Sequence, residues 1–414
     1  MAARGFASGP QFRGVFPGEP VTELCFAPSK ERGLPLFRQL GDSGDLLESA
    51  TLSFSLEEGV RMLRVMIQSQ VYDSILYDIQ RQGRISFYLA AAGEEAALVG
   101  SAAALKDADM ILPQYRELPS LMWKGFTLDD VLAQLFATAK DPGRGRQMPI
   151  HYTPAHMCIM PVSSPLAVKI PQAAGVGYAY KLGKKDAVAA VYFGDGAASE
   201  GDACVGLNFA AALGSQTLFL CRNNGYAIST PVDEQYRGDG IGARAVAFGI
   251  DTVRVDGTDL VAVYAAVKAA RELIVKRQEP AFVEMMTYRL GPHSTSDDSA
   301  AYRKAEEVQQ WSTPALHCVR RFAAFLTKQG VWSTVEENAL VEETRKRILS
   351  RIRVFEKMKH PPVLAGLFTD VYDKMPKSLQ EQQEALRSFL SHPDRAKTYN
   401  LNRFERDQTG KGEN

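Results

Sequence analysis

Asp195 and Asn224 carry a carboxylate and an amide oxygen, the kinds of ligand that a hard divalent cation such as magnesium selects. Asp195 lies in Gly194-Asp195-Gly196, and Asn224 lies in Arg222-Asn223-Asn224-Gly225-Tyr226. Taken singly, each block is a set of residues common in turns. Their surroundings add meaning. Residues 187–193 are a short apolar run of the kind that forms a buried parallel strand, 202–213 is an Ala-rich helical segment stopped by Gly214, and 217–221 is a second strand-like run. Parallel neighbours in such a strand–helix–strand unit end side by side, at the crevice where open α/β sheets bind ligands. Asp195 and Asn224 are therefore expected to share one cation, with a backbone carbonyl and diphosphate oxygens completing its shell. A dinucleotide-binding turn competes for Gly194-x-Gly196, but Ser199 stands where its third glycine would fall, and Asp195 would repel an unbridged pyrophosphate.

The elements that must hold these residues are legible in outline. Residues 1–55 are rich in Pro, Gly and polar residues and are expected to be an irregular extension. In 56–81, Val60, Leu63, Ile67, Val71 and Ile75 recur at helical spacing. From Gly83 to about Ser312 helical segments alternate with β-rich runs at 187–193, 217–221 and 280–287, which predicts an α/β domain with a parallel sheet flanked by helices over 56–312. Residues 313–414 form a mainly helical region, with helices expected over 315–329, 334–357 and 377–390. Lys plus Arg and Asp plus Glu number 48 each, so net charge selects neither nucleic acid nor an anionic membrane. The five cysteines are scattered without a CxxC, which suggests neither a disulfide framework nor a zinc site. The longest apolar stretch, 260–275, is interrupted by Lys268, Arg271 and Glu272, so no membrane span is expected. The Arg-containing, acid-free start Met1-Ala2-Ala3-Arg4-Gly5-Phe6-Ala7-Ser8 reads equally as a mitochondrial targeting remnant or as a flexible terminus.

The order strand, GDG, helix, strand, NN resembles the diphosphate and magnesium motif of thiamine diphosphate enzymes. Three further segments narrow the likeness: Gln114-Tyr115-Arg116-Glu117, Ser163-Ser164-Pro165-Leu166-Ala167, and Tyr288 to Arg303, read as YRLGPHSTSDDSAAYR. Together they resemble the alpha subunit of branched-chain 2-oxo acid dehydrogenase, from about Arg81 to Tyr372. Pyruvate dehydrogenase alpha subunits share the GDG and NN elements, but their loop typically has a HGHS-like sequence. The branched-chain reading rests mainly on the loop.

The resemblance implies oxidative decarboxylation of branched-chain 2-oxo acids with acyl transfer to lipoamide, in the mitochondrial matrix. It implies magnesium held by Asp195, Asn224 and the Tyr226 carbonyl, and a cofactor pocket formed by Gln114, Tyr115, Arg116, Ser164, Leu166, Gly196, Ala197, Arg222 and His293. Arg side chains suit phosphate oxygens because they grip with two bonds, and His293, able to titrate near neutrality, is expected to act as an acid in acyl transfer. The glutamate that activates the cofactor is expected from a beta subunit, within an alpha2-beta2 assembly that serves a lipoyl-bearing acyltransferase core. Alone, the chain is expected to be inactive.

Ser294 corresponds to the family's inactivating phosphorylation site, which implies a kinase and a phosphatase as further partners. Beside a diphosphate, a phosphoryl group would disorder the loop or block the lipoyl arm by repulsion. As a polar loop, 294–298 is also expected to cap a helix beginning near Ser299 through Ser296 or Asp298.

Four positions depart from the family pattern. Asp195 is one methylene shorter than the Glu expected of branched-chain members, and Lys304 stands at a second phosphorylation position. Where the family usually has Thr-Gln at a potassium site, this chain has Val168-Lys169, leaving Ser163 and Pro165 as ligands and making potassium doubtful. One expectation is that the Lys169 ammonium takes the ion's place; another is that it simply faces solvent. Other readings are a pyruvate or broad-specificity alpha subunit and a catalytically idle cofactor-binding scaffold.

Overall fold

The computed structural model describes residues 33–407. Most of the expected irregular extension, the targeting remnant and the last residues of the tail lie outside the described residues. Residues 34–407 belong to one compact unit.

A six-stranded parallel sheet carries the site. Its strands are β1 (Leu36–Phe37), β2 (Met110–Leu112), β3 (Ala189–Gly194), β4 (Thr217–Asn223), β7 (Asp251–Asp256) and β8 (Ala281–Met286), in the order β1-β7-β8-β4-β3-β2. Between β4 and β7, the two-residue strands β5 (Tyr226–Ala227) and β6 (Thr230–Pro231) form an antiparallel hairpin. The central strands are apolar along their length because both faces are covered. Val191, Phe193, Phe219 and Cys221 pack with the helices Lys169–Leu182 and Gly201–Leu213. Ala190, Tyr192, Leu218 and Leu220 pack on the other side with Leu98 of Glu95–Ala103 and Val263 and Val267 of Leu260–Arg277.

The helix Leu56–Arg81 spans the expected residues, and Ser55 caps it by accepting from the Glu58 N–H at 3.1 Å. Met62, Leu63 and Met66 on this helix bury against Val319, Phe322, Phe325 and Leu326 of the helix Cys318–Lys328. The region after 312 is helical, with Thr334–Phe355 and Lys377–Ser391 close to the expected spans. Its first two long helices pack on Leu56–Arg81, within the same compact unit as the sheet. Near Ser299 the expected helix is a three-residue turn, Ser299–Ala301, capped by Asp298 rather than Ser296. Among the described residues no helix is long and apolar enough to cross a membrane.

Candidate cofactor site

Strand register brings the two oxygen ligands together. Gly194 pairs with Arg222 across β3 and β4, so Asp195 follows the last pair directly and Asn224 lies two residues beyond it. The Asn224 N–H donates to Asp195 Oδ1 at 3.4 Å, and Gln235 Nε2 donates to Asp195 Oδ2 at 2.9 Å. Asp195 is only 1% exposed. Burial raises its carboxyl pKa against these two hydrogen bonds, and the nearby Glu94 raises it further. Such a carboxylate gains from an added cation. Gly225 permits the chain reversal after Asn224 with φ of 89°, a conformation that side chains strain. Gly196 has a different reason: a Cβ there would lie 2.8 Å from the Cβ of Ala227 in the hairpin.

Two buried glutamates brace the strand ends. Glu94 Oε1 accepts from Asn224 Nδ2 at 2.8 Å, which turns the amide oxygen away from Glu94 and toward the Tyr226 N–H at 3.3 Å. Glu94 Oε2 accepts from Arg222 NH1 at 2.5 Å, and Glu117 Oε1 lies 2.7 Å from Arg222 NH2. Although burial alone would raise the Glu94 pKa, Arg222 and Arg116 hold it below the usual range. Arg222, placed by sequence in the diphosphate pocket, thus has both terminal nitrogens on carboxylates, while its buried Nε has no partner among the described residues. Asn223 serves the scaffold: its amide donates to Tyr236 and to Glu284, each at 3.0 Å.

A cavity of about 500 Å³ opens beside Asp195 and Asn224. Gln114, Tyr115, Arg116, Ser164, Leu166, Gly196, Ala197, Arg222, Tyr226 and His293, all picked out from the sequence, line it. Phe87, Leu89, Met148 and Ile150 add apolar walls. Gln114 Oε1 accepts from the Gly194 N–H at 3.0 Å, tying its segment to the end of β3. Arg116 donates to the Ala90 carbonyl at 2.5 Å and to the His293 carbonyl at 3.0 Å, while the His293 N–H donates to Asp297 at 2.7 Å. Burial, with Arg116 and Arg289 nearby, pushes the His293 imidazole down to about 4. The protein's own groups therefore keep it neutral at pH 7, instead of poised near neutrality as the sequence suggested.

Arg289 and His151 also line the cavity and were not singled out from the sequence. Arg289 reaches the Tyr226 carbonyl at 3.4 Å and the Ile228 carbonyl at 2.7 Å. His151 Nδ1 lies 3.1 Å from the Pro149 carbonyl, and its Nε2 contacts Ser164 Oγ. With the Nδ1 proton on the carbonyl, Nε2 accepts from the serine hydroxyl. In sequence a lone histidine among apolar neighbours gives no spacing signal, and Arg289 is visible only as part of the loop.

The donor set fits a cation-bridged diphosphate. No cluster of three or more His, Cys, Asp or Glu converges among the described residues, so a cation here needs ligand oxygens beyond those of Asp195, Asn224 and a carbonyl. Arg116, Arg222 and Arg289 are balanced by Asp195, Glu94 and Glu117, so a magnesium diphosphate suits the cavity better than a bare polyanion.

Lys169 and Ser163 line a separate void of about 10 Å³ with Gln114 and Pro165. Lys169 is buried at the start of a helix, and burial lowers its pKa. Ser163 Oγ is buried without a hydrogen-bond partner among the described residues. Ser294, 7% exposed, lies in the loop between His293 and Thr295, and its Oγ accepts from the Ser296 N–H at 3.1 Å.

Residues 63–363 match the family model described as "Dehydrogenase E1 component". The chain is 47% identical over 380 residues to "2-oxoisovalerate dehydrogenase subunit alpha 1, mitochondrial" of Arabidopsis thaliana, covering 91% of this chain and 80% of that protein. It is 47% identical over 355 residues to "2-oxoisovalerate dehydrogenase subunit alpha, mitochondrial" of Caenorhabditis elegans, covering 85% of this chain and 82% of the relative. To the protein of the same name from Homo sapiens it is 44% identical over 384 residues, covering 92% and 85%.

Proposed function

The chain belongs to the dehydrogenase E1 component family, and from that premise we propose that it is the alpha subunit of a thiamine diphosphate-dependent decarboxylase of branched-chain 2-oxo acids. One observation carries the reading: Asp195 and Asn224 meet, through strand register, in a cavity that also holds Arg116, Arg289 and His293. The names of the relatives support the substrate class.

In this reading magnesium is held by Asp195, Asn224 Oδ1 and the Tyr226 carbonyl. Arg116, Arg289 and the free Nε of Arg222 meet the diphosphate, with Tyr115 and Gln114 donating further hydrogen bonds. When bound, thiamine diphosphate supplies the electron sink for loss of carbon dioxide. The chain's residues orient it and exclude water: Leu166, Phe87 and Ile150 offer apolar surface to the aliphatic part of a substrate, while Ser164, held by His151, presents hydroxyl lone pairs. His293, neutral before a diphosphate arrives, is drawn upward in pKa by that anion and becomes able to hold the proton used in acyl transfer.

The activating glutamate comes from a beta subunit in an alpha2-beta2 assembly, and the acyl acceptor is a lipoyl-bearing core in the mitochondrial matrix. Ser294 is the phosphorylation site of a regulatory kinase and phosphatase. Lys169, with Ser163 and Pro165, supplies a tethered positive charge where a monovalent cation would otherwise sit, so cofactor affinity is expected to be independent of potassium. The deciding experiment reconstitutes this chain with a beta subunit and compares 2-oxoisovalerate with pyruvate, with and without magnesium and thiamine diphosphate. Branched substrate should be preferred, only with both additions, and the isolated chain should not turn over. Equal or faster turnover of pyruvate would move the assignment to a pyruvate or broad-specificity enzyme, and cofactor binding without turnover in the pair would make the chain a scaffold.

A further inference from the structure

Asp73 is a buried carboxylate on the helix Leu56–Arg81, outside the lining of the cavity. Its two oxygens hold one short segment at two points. Oδ1 accepts from the Tyr88 hydroxyl at 2.8 Å, and Oδ2 accepts from the Ala91 N–H at 2.7 Å. That segment performs two tasks. The Ala90 carbonyl accepts from Arg116, which also reaches the His293 carbonyl. Tyr88 meets Thr295 through its backbone: the Thr295 N–H donates to the Tyr88 carbonyl at 3.1 Å, and the Tyr88 N–H donates to Thr295 Oγ1 at 3.2 Å. The Leu290 N–H donates to the Ala92 carbonyl at 3.0 Å just beyond. The segment is therefore the shelf on which residues 290–295 rest.

We propose that Asp73 is a positioning residue that pins the Tyr88–Ala91 shelf, and through it docks the loop bearing His293 and Ser294 while aiming Arg116 into the cavity. Docking of the loop follows from the hydrogen bonds alone, whereas the consequence for cofactor affinity rests on the function proposed above. Neither of the Asp73 hydrogen bonds falls on its own helix. Both run to one non-helical segment that also hydrogen-bonds a cavity arginine and the loop. Asn in place of Asp keeps the shape and can still bond both partners, accepting from the Ala91 N–H and donating to the Tyr88 oxygen, whereas Leu bonds neither.

The test uses the full chain assembled with its beta subunit and follows amide hydrogen exchange by mass spectrometry. Asp73→Leu and, more gently, Tyr88→Phe should speed exchange over residues 290–303 by about tenfold, the scale of one lost hydrogen bond in local opening, while leaving β3, β4 and β8 unchanged. Asp73→Asn should restore slow exchange. In the same assembly, Asp73→Leu should raise the thiamine diphosphate concentration needed for half-saturation and change kcat less, with rescue by Asp73→Asn. Should Asp73→Leu fail to fold, Tyr88→Phe carries the test. Unchanged exchange over 290–303, or an increase spread evenly through the strands, would overturn the proposal. Wild-type protein that binds no thiamine diphosphate would refute the functional reading separately, because the exchange comparison needs no cofactor.

Discussion

Because Glu94 Oε1 takes the Asn224 amide hydrogens, the amide oxygen is the only part of that side chain left for a cation, and a glutamine at 94 would no longer enforce the choice. Glu94→Gln is therefore expected to weaken magnesium binding by roughly 10–100-fold, measured by titration at saturating thiamine diphosphate, as is typical when a ligand loses its orienting partner. Asp195→Ala removes a ligand outright and should abolish magnesium-dependent cofactor binding in the same assay. For His293 the expected observation is spectroscopic. Its imidazole, held down to about 4 by burial and two arginines, should titrate at higher pH once a diphosphate binds, seen as a shift of its ring proton resonances. Asp195, Asn224, Arg116 and His293 were readable because they sit in blocks whose spacing or family likeness marks them. Glu94 was not, since an acid beside the start of Glu95–Ala103 reads as ordinary favourable charge at a helix terminus.

Among the elements, the turn after β4 depends on a glycine. At φ of 89°, Gly225→Ala should cost about 1–2 kcal/mol in a denaturant titration, and the shift of Asn224 should lower cofactor affinity as well. The strands β3, β4 and β8 were legible as runs at 187–193, 217–221 and 280–287 because two covered faces demand continuous apolar sequence. β7 escaped for a physical reason. Its Arg254 is paired with Asp239 at 2.7 Å and with Glu284 at 2.9 Å, so a strand inside the sheet carries charges that normally signal a surface. β1 and β2, two and three residues long, are too short for any periodicity to register. The loop 290–295 docks on Tyr88 and Ala92 largely through backbone bonds, a pairing that residue types cannot announce.

For the whole molecule, Asp73 and His293 pull the pH dependence of stability in opposite directions. Burial raises the Asp73 carboxyl from its ordinary 3.8 to about 7, against its two hydrogen bonds. Between those values the folded chain holds a proton that the unfolded chain has lost, so stability falls as pH rises through this window. His293, lowered from 6.5 to about 4, binds its proton more readily when unfolded, so its contribution falls as pH drops below 6.5. Thermal unfolding from pH 4 to 7 should show Asp73→Asn losing less stability with rising pH than the parent, with no difference in slope if Asp73 does not titrate there. Ser294 is buried in the docked loop and its hydroxyl accepts from the Ser296 N–H, so adding a phosphoryl group there would disturb the docking. Its roughly two added charges should make residues 290–303 sensitive to protease. The chain as a whole carries no net charge, and around the cavity Arg116, Arg222 and Arg289 are matched by Glu94, Glu117 and Asp195. Such a site exerts little pull on an anion across solvent. Cofactor capture should therefore proceed without long-range steering, at an association rate nearly flat between low and high ionic strength and governed instead by how much of the diphosphate already carries magnesium.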